Sequence, residues 1–197
     1  MEDSGEPVSK VSIPSGFLET AFDSGVDIIN RRIYFHEDVD EVSVSNVIVG
    51  LQLLASFSND PIDLFISSYG GNLDDAFAAY DIITTLPCDV RTIAVGKCMS
   101  AAPLILLAGT ERYTTRHTTF MMHDATLGGM DGSTVQQTEA SMQAAVDSLN
   151  MYAALLAKRT LLNKRHWKKL FQAPKDTYFP ASEAVDWGLV HGFWTGE

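Results

Sequence analysis

Apolar stretches of two different periods take turns along the middle of this chain, and that alternation restricts the fold more than any other feature. Ile62 to Ser67 is a short apolar run followed by Gly70-Gly71, the form of a buried strand closed by a tight turn. Leu73 to Leu86 is expected as a helix, with Asp74 and Asp75 in its first turn, where the macrodipole favours acids, and Pro87 at its end. Val90 to Val95 predicts a second buried strand. Ala101 to Ala108 predicts a second helix, with Pro103 in the first turn, where a missing N–H does no harm, and Gly109 closing it. Upstream, Arg32 to His36 has the form of a strand. Ser43 to Phe57 sets Val44, Val47, Ile48, Leu51, Leu54 and Ala55 at helical spacings of three and four. Downstream come a strand over Thr118 to His123, the longest helix over Thr138 to Leu162, whose apolar stripe of Met142, Ala145, Leu149, Tyr152, Ala153 and Leu156 is expected to be buried between neighbouring copies, and a short helix over Ser182 to Trp187. Strand, helix, strand, helix means an α/β fold with parallel strands.

The ends are less patterned. Residues 1–15 hold Gly, Ser and two prolines and are expected to form a mobile arm, and Gly16 to Val26 is weakly patterned and broken by Gly25. The chain therefore divides into an N-terminal arm over 1–26 and one domain over 27–197. At 197 residues, 46% of them apolar, it can bury a sizeable core. Its net charge of -11 argues against nucleic acid as a partner. No apolar run reaches membrane-spanning length, and the acidic first residues lack the regions of a signal peptide, so no membrane is expected and the expected location is cytoplasmic. Cys88 and Cys98, the two cysteines, are expected as reduced core residues.

Nucleophilic chemistry is offered by Ser100, His123 and Asp176, in that order, downstream of the Gly70-Gly71 turn. Ser100 falls between a strand and a helix, so its hydroxyl and the N–H of Ala101 share the positive end of that helix. The same position suits a plain helix N-cap serine. Among five histidines, His123 alone ends an apolar strand after the serine, where it can take the Ser100 proton and return it to a leaving amine. Asp176 would fix the tautomer and stabilise the imidazolium; Asp124, the nearer rival, points to the opposite strand face. Lys97, three residues before Ser100, leaves a Ser–Lys dyad as an alternative. The order Ser…His…Asp is not that of chymotrypsin, subtilisin or the α/β-hydrolases.

The segments Ile66 to Asn72, Gly96 to Gly109, Phe120 to Asp124 and Lys175 to Val190 resemble the ClpP family of serine peptidases, in order and at similar spacing. The last is the most specific, with Ala181-Ser182-Glu183-Ala184-Val185 leading to Gly188-Leu189. The resemblance runs from about Asp27 to Gly192. It implies the stacked β-β-α spiral shared by ClpP and crotonases, in a single ring-forming domain whose long helix packs against ring neighbours. It implies catalysis by Ser100, His123 and Asp176 and an oxyanion hole from the N–H groups of Gly70 and Ala101. Extended substrate would be held as an added strand by Gly71, Leu127 and Gly128. No metal or organic cofactor is implied. The implied partners are further copies of the chain in two stacked heptameric rings, a Clp-type AAA+ ATPase, and peptide or unfolded protein as substrate. The chain departs from the family pattern at Lys97, Ala102, Ala125 and Lys175, and its N-terminal docking end is not recognisable. Three alternatives stand beside the protease: a capsid-maturation enzyme of the same family, a weakly catalytic ring subunit paired with active paralogues, and a crotonase-type acyl-CoA enzyme.

Overall fold

A computed structural model describes residues 14–126 and 132–196. Strand β1 (Val26–Asp27) runs antiparallel to β2 (Arg32–Phe35), and parallel pairings then carry the sheet through β3 (Ile62–Ser68) to β4 (Val90–Met99). The strand β4 is longer than the apolar run that predicts it, and it forks. Its first half, Arg91 to Ala94, pairs with β5 (Glu111–Thr114), while Lys97 to Met99 pair with β6 (Thr119–Met122). Gly96, at φ +69°, lies between the two halves, a left-handed backbone position suited to glycine. Beyond the fork, β7 (Thr177–Pro180) is antiparallel to β6, and β8 (Gly192–Phe193) adds parallel to β5. The expectation of parallel strands is thus met through the centre, and the two antiparallel pairs lie at the margins.

The helices follow their local chemistry. In α2 (Glu41–Phe57), Asp40 caps the first turn by accepting from the Ser43 N–H at 2.8 Å, and Ser43 Oγ accepts from the Asp40 N–H in return. The face forecast for this helix is the buried one, with Leu51 and Leu54 fully enclosed. Helix α3 (Leu73–Thr85) is capped by Asn72, whose side-chain oxygen accepts from the Asp74 and Asp75 N–H groups. The short α4 (Ala102–Ala108) is buried at every residue, which explains a run with no polar face. The long α5 (Val135–Arg159) starts at a Thr134–Gln137 capping box and ends earlier than expected.

Several elements lie outside the sequence expectations. Helix α1 (Ser15–Asp23) begins at the last residue of the expected mobile arm, whose residues 1–13 lie outside the described residues, and it buries only Ala21, so its pattern is faint. Strand β1 spans the expected boundary between residues 26 and 27, and Ala21 and Val26 join the same core as the rest. Helix α6 (Lys164–Phe171) anchors itself by Trp167 and Phe171, and α7 (Ala181–Asp186) coincides with the expected short helix. The apolar stripe forecast on α5 divides. Tyr152, Ala153 and Leu156 are buried in the protomer's own core, whereas Met142 is exposed. Cys88 and Cys98 are buried and free.

Leu54 is 0% exposed between α2 and the sheet, so Leu54→Ala removes packed methyl groups and leaves a cavity. We expect a loss of about 2–5 kcal/mol of stability, measurable as a lower denaturant midpoint with unchanged slope.

Candidate active site

The fork in β4 builds the site. Its last residues lead into Ser100, a non-glycine residue at φ +57°, in the left-handed region that costs about 1–3 kcal/mol when surrounding contacts impose it. Those contacts are visible: the Ser100 N–H donates to Met121 O at 2.8 Å, continuing the β4–β6 pairing by one step. The hydroxyl therefore turns toward the end of β6, where Ser100 Oγ and His123 Nε2 stand 2.7 Å apart. The N-cap alternative fails here. The N-cap residue of α4 is Ala101, with no side-chain capping bond, and the Ser100 hydroxyl is engaged elsewhere.

His123 and Asp176 are the residues immediately past the last rung of the β6–β7 ladder, Met122↔Thr177. Asp176 is exposed, and among the described residues it makes no hydrogen bond or ion pair with His123. Two of the three expected residues are thus in contact, and the third stands next to them in register. Asp124 is committed to its own loop, where its carboxylate accepts from the Ala125 N–H at 2.8 Å. Lys97 Nζ sits 4.3 Å from the centre of the Tyr69 ring, a cation–π contact, and it is the histidine that holds the Ser100 hydroxyl.

The glycine turn lies against Ser100. Gly70 has φ +94°, and a side chain there would meet Met99 O at 2.5 Å, Ser100 Cβ at 2.6 Å and Ala101 N at 2.8 Å. One expectation is corrected by this geometry. The Gly70 N–H is already donated to Ser68 Oγ at 3.0 Å, so it is not a vacant donor for an oxyanion. The N–H groups of Gly71 and Ala101 take no acceptor among the described residues, and both residues line the cleft that holds Ser100 and His123. Of the expected substrate-binding residues, Gly71 is therefore at the cleft, while Leu127 and Gly128 lie outside the described residues.

The cleft measures about 400 Å³. One wall is the inner side of α5, through Ala144, Ala145, Leu149 and Tyr152, with Phe171 of α6 beside them. Sequence reasoning assigned Leu149 and Tyr152 to a packing stripe and missed that the same face lines the cleft of Ser100. The helical period was legible; which neighbour it met was not. Among the described residues no group of three or more His, Cys, Asp or Glu could hold a metal, and no helix is long and apolar enough to cross a membrane.

A glycine turn, a serine at positive φ at a strand-to-helix junction and a histidine just past a paired strand stand together on an α/β fold. Comparison with known proteins identifies the family and the fold. A family model described as Clp protease matches residues 19–196. The ATP-dependent Clp protease proteolytic subunit 2 of Thermobifida fusca is 31% identical over 166 residues, covering 81% of this chain and 78% of that protein. The chloroplastic subunit 4 of Arabidopsis thaliana is 32% identical over 178 residues, covering 88% of this chain but 59% of its own length. Among solved structures, a ClpP1 variant from Listeria monocytogenes superposes with a TM-score of 0.76 at 25% identity, covering 85% of this chain and 92% of the other. The chain belongs to the Clp protease family, and its fold is that of ClpP.

Proposed function

We propose that this chain is a serine endopeptidase that cleaves extended, unfolded peptides through an acyl-enzyme on Ser100. The observation that carries the reading is the 2.7 Å contact between Ser100 Oγ and His123 Nε2 at a strained turn inside the cleft. His123 takes the hydroxyl proton as Ser100 Oγ attacks the scissile carbonyl, and later gives it to the departing amine. Water then attacks the acyl-enzyme by the same route in reverse. The negative oxygen of each tetrahedral intermediate is received by the N–H groups of Gly71 and Ala101, which supply electrostatic stabilisation worth several kcal/mol. Asp176 orients the imidazole once its carboxylate turns onto Nδ1.

The assembly in this reading is two stacked heptameric rings whose chamber admits peptides and excludes folded domains, fed by a Clp-type ATPase. Exposed apolar residues along α5, Val135, Met142, Val146 and Met151, suit burial against neighbouring copies. The relatives above are themselves named as subunits of ATP-dependent proteases. A second reading, a weakly catalytic ring subunit, is favoured by one observation, the absence of a bond between Asp176 and His123.

Purified protein should hydrolyse short fluorogenic peptides and leave a stable folded substrate intact until a Clp ATPase and ATP are added. Native mass measurement should give a double ring. A monomer at micromolar concentration would overturn the enclosure, as would degradation of the folded substrate without an ATPase. Peptide hydrolysis that appears only after mixing with a paralogue would select the second reading.

A further inference from the structure

Among the described residues, Tyr152 is the one buried phenol that touches the backbone of Ser100. It is 1% exposed on α5, with its ring tilted against Phe171 at 5.1 Å, and its hydroxyl donates to the Ser100 carbonyl at 3.3 Å. The other polar atom within its reach is Met122 Sδ at 3.9 Å, a weak acceptor, so the Ser100 carbonyl is the better partner for a hydroxyl cut off from water. Burial, with the Cys98 thiol as a smaller contribution, pushes this phenol well above its ordinary range, so the oxygen stays a donor.

The acceptor is what gives the contact a use. The Ser100 carbonyl belongs to the same rigid, planar peptide group as the Ala101 N–H, and in a trans peptide the two point in opposite directions. A hydrogen bond that fixes the oxygen on the protein side therefore fixes the N–H on the cleft side. Polarisation through the amide also makes that N–H a stronger donor. The peptide plane needs such a hold, because Ser100 is in the left-handed region and no side chain caps α4.

We propose that Tyr152 is a positioning residue that aims and strengthens the Ala101 N–H toward the oxyanion formed during acylation and deacylation. The inference rests on the assignment of Ser100 as nucleophile. It assigns to α5 a part in the chemistry besides packing.

Tyr152→Phe deletes the donor and keeps the ring. Kinetics on a fluorogenic peptide should show kcat falling about tenfold with KM within about twofold, since the lost interaction matters mainly in the transition state. Affinity for a peptide boronate, whose tetrahedral adduct on Ser100 mimics the intermediate, should fall by a similar factor while native mass is unchanged. Unchanged kcat and boronate affinity would overturn the proposal. A raised KM with intact boronate affinity, or a loss of activity that follows loss of assembly, would also overturn it, because the contact would then be structural. A wild-type protein whose Ser100 resists a fluorophosphonate probe would sink the underlying assignment, whereas labelled wild type with a fully active Tyr152→Phe sinks only the role of Tyr152.

Discussion

Ser100→Ala and His123→Ala should each reduce peptide hydrolysis by at least about ten-thousand-fold while leaving ring assembly intact, and combining them should cost little more than either alone. The expectation follows from the 2.7 Å contact, which makes the two side chains one unit. Removing the hydroxyl leaves no nucleophile, and removing the imidazole leaves a hydroxyl with no acceptor for its proton. Asp176→Asn should also be severely impaired, but less so, at roughly a hundred- to ten-thousand-fold, because the serine–histidine contact forms without it. Steady-state kinetics with a fluorogenic peptide decides the matter. An active His123→Ala protein together with a dead Lys97→Ala protein would replace the triad with a Ser–Lys dyad.

The second large effect belongs to a residue that contributes no side chain. Gly70→Ala should lower kcat by about a hundredfold or more and destabilise the protein by roughly 1–3 kcal/mol. A methyl group at Gly70 would press on Met99 O, Ser100 Cβ and Ala101 N at once, at a backbone φ of +94° that disfavours any side chain. None of these neighbours is the free end of a flexible side chain, so relief requires moving the turn that carries the nucleophile. Gly192→Ala is the matched control. Nothing lies within 4 Å of a methyl group there, and activity should stay near the wild-type level. Thermal denaturation and peptide kinetics on both variants test the claim, and a Gly70→Ala protein as active as the control would refute the tight packing inferred around Ser100.

Much of this architecture was legible because burial left a periodic trace. The α2 face from Val44 to Leu54 and the strand from Ile62 both sit where their patterns put them. Elements that bury little left little trace. Helix α1 encloses only Ala21, and the two-residue strands β1 and β8 are too short to show any period. Strand β7 was hidden for another reason: its Thr-Tyr-Phe-Pro run buries only Phe179 and ends in proline.

The site was legible as chemistry but less so as geometry. The residue types and order of Ser100, His123 and Asp176 suggest a hydrolase, and family resemblance ties them to specific motifs. Which N–H of the Gly70-Gly71 pair is vacant could not be read from sequence, because it depends on Ser68 Oγ reaching back to Gly70. Likewise, the strain at Ser100 and the reach of Tyr152 depend on the β4 fork and on where the fold places α5, and neither has a local sequence signal. The N-cap alternative could be rejected only once the hydroxyl had a direction.

The most direct test of the central claim is reaction of the wild-type protein with a fluorophosphonate probe, followed by peptide mapping of the adduct. The account predicts a single modification on Ser100, lost in Ser100→Ala and strongly slowed in His123→Ala. An unreactive wild type, an adduct on another serine, or undiminished labelling of His123→Ala would contradict it.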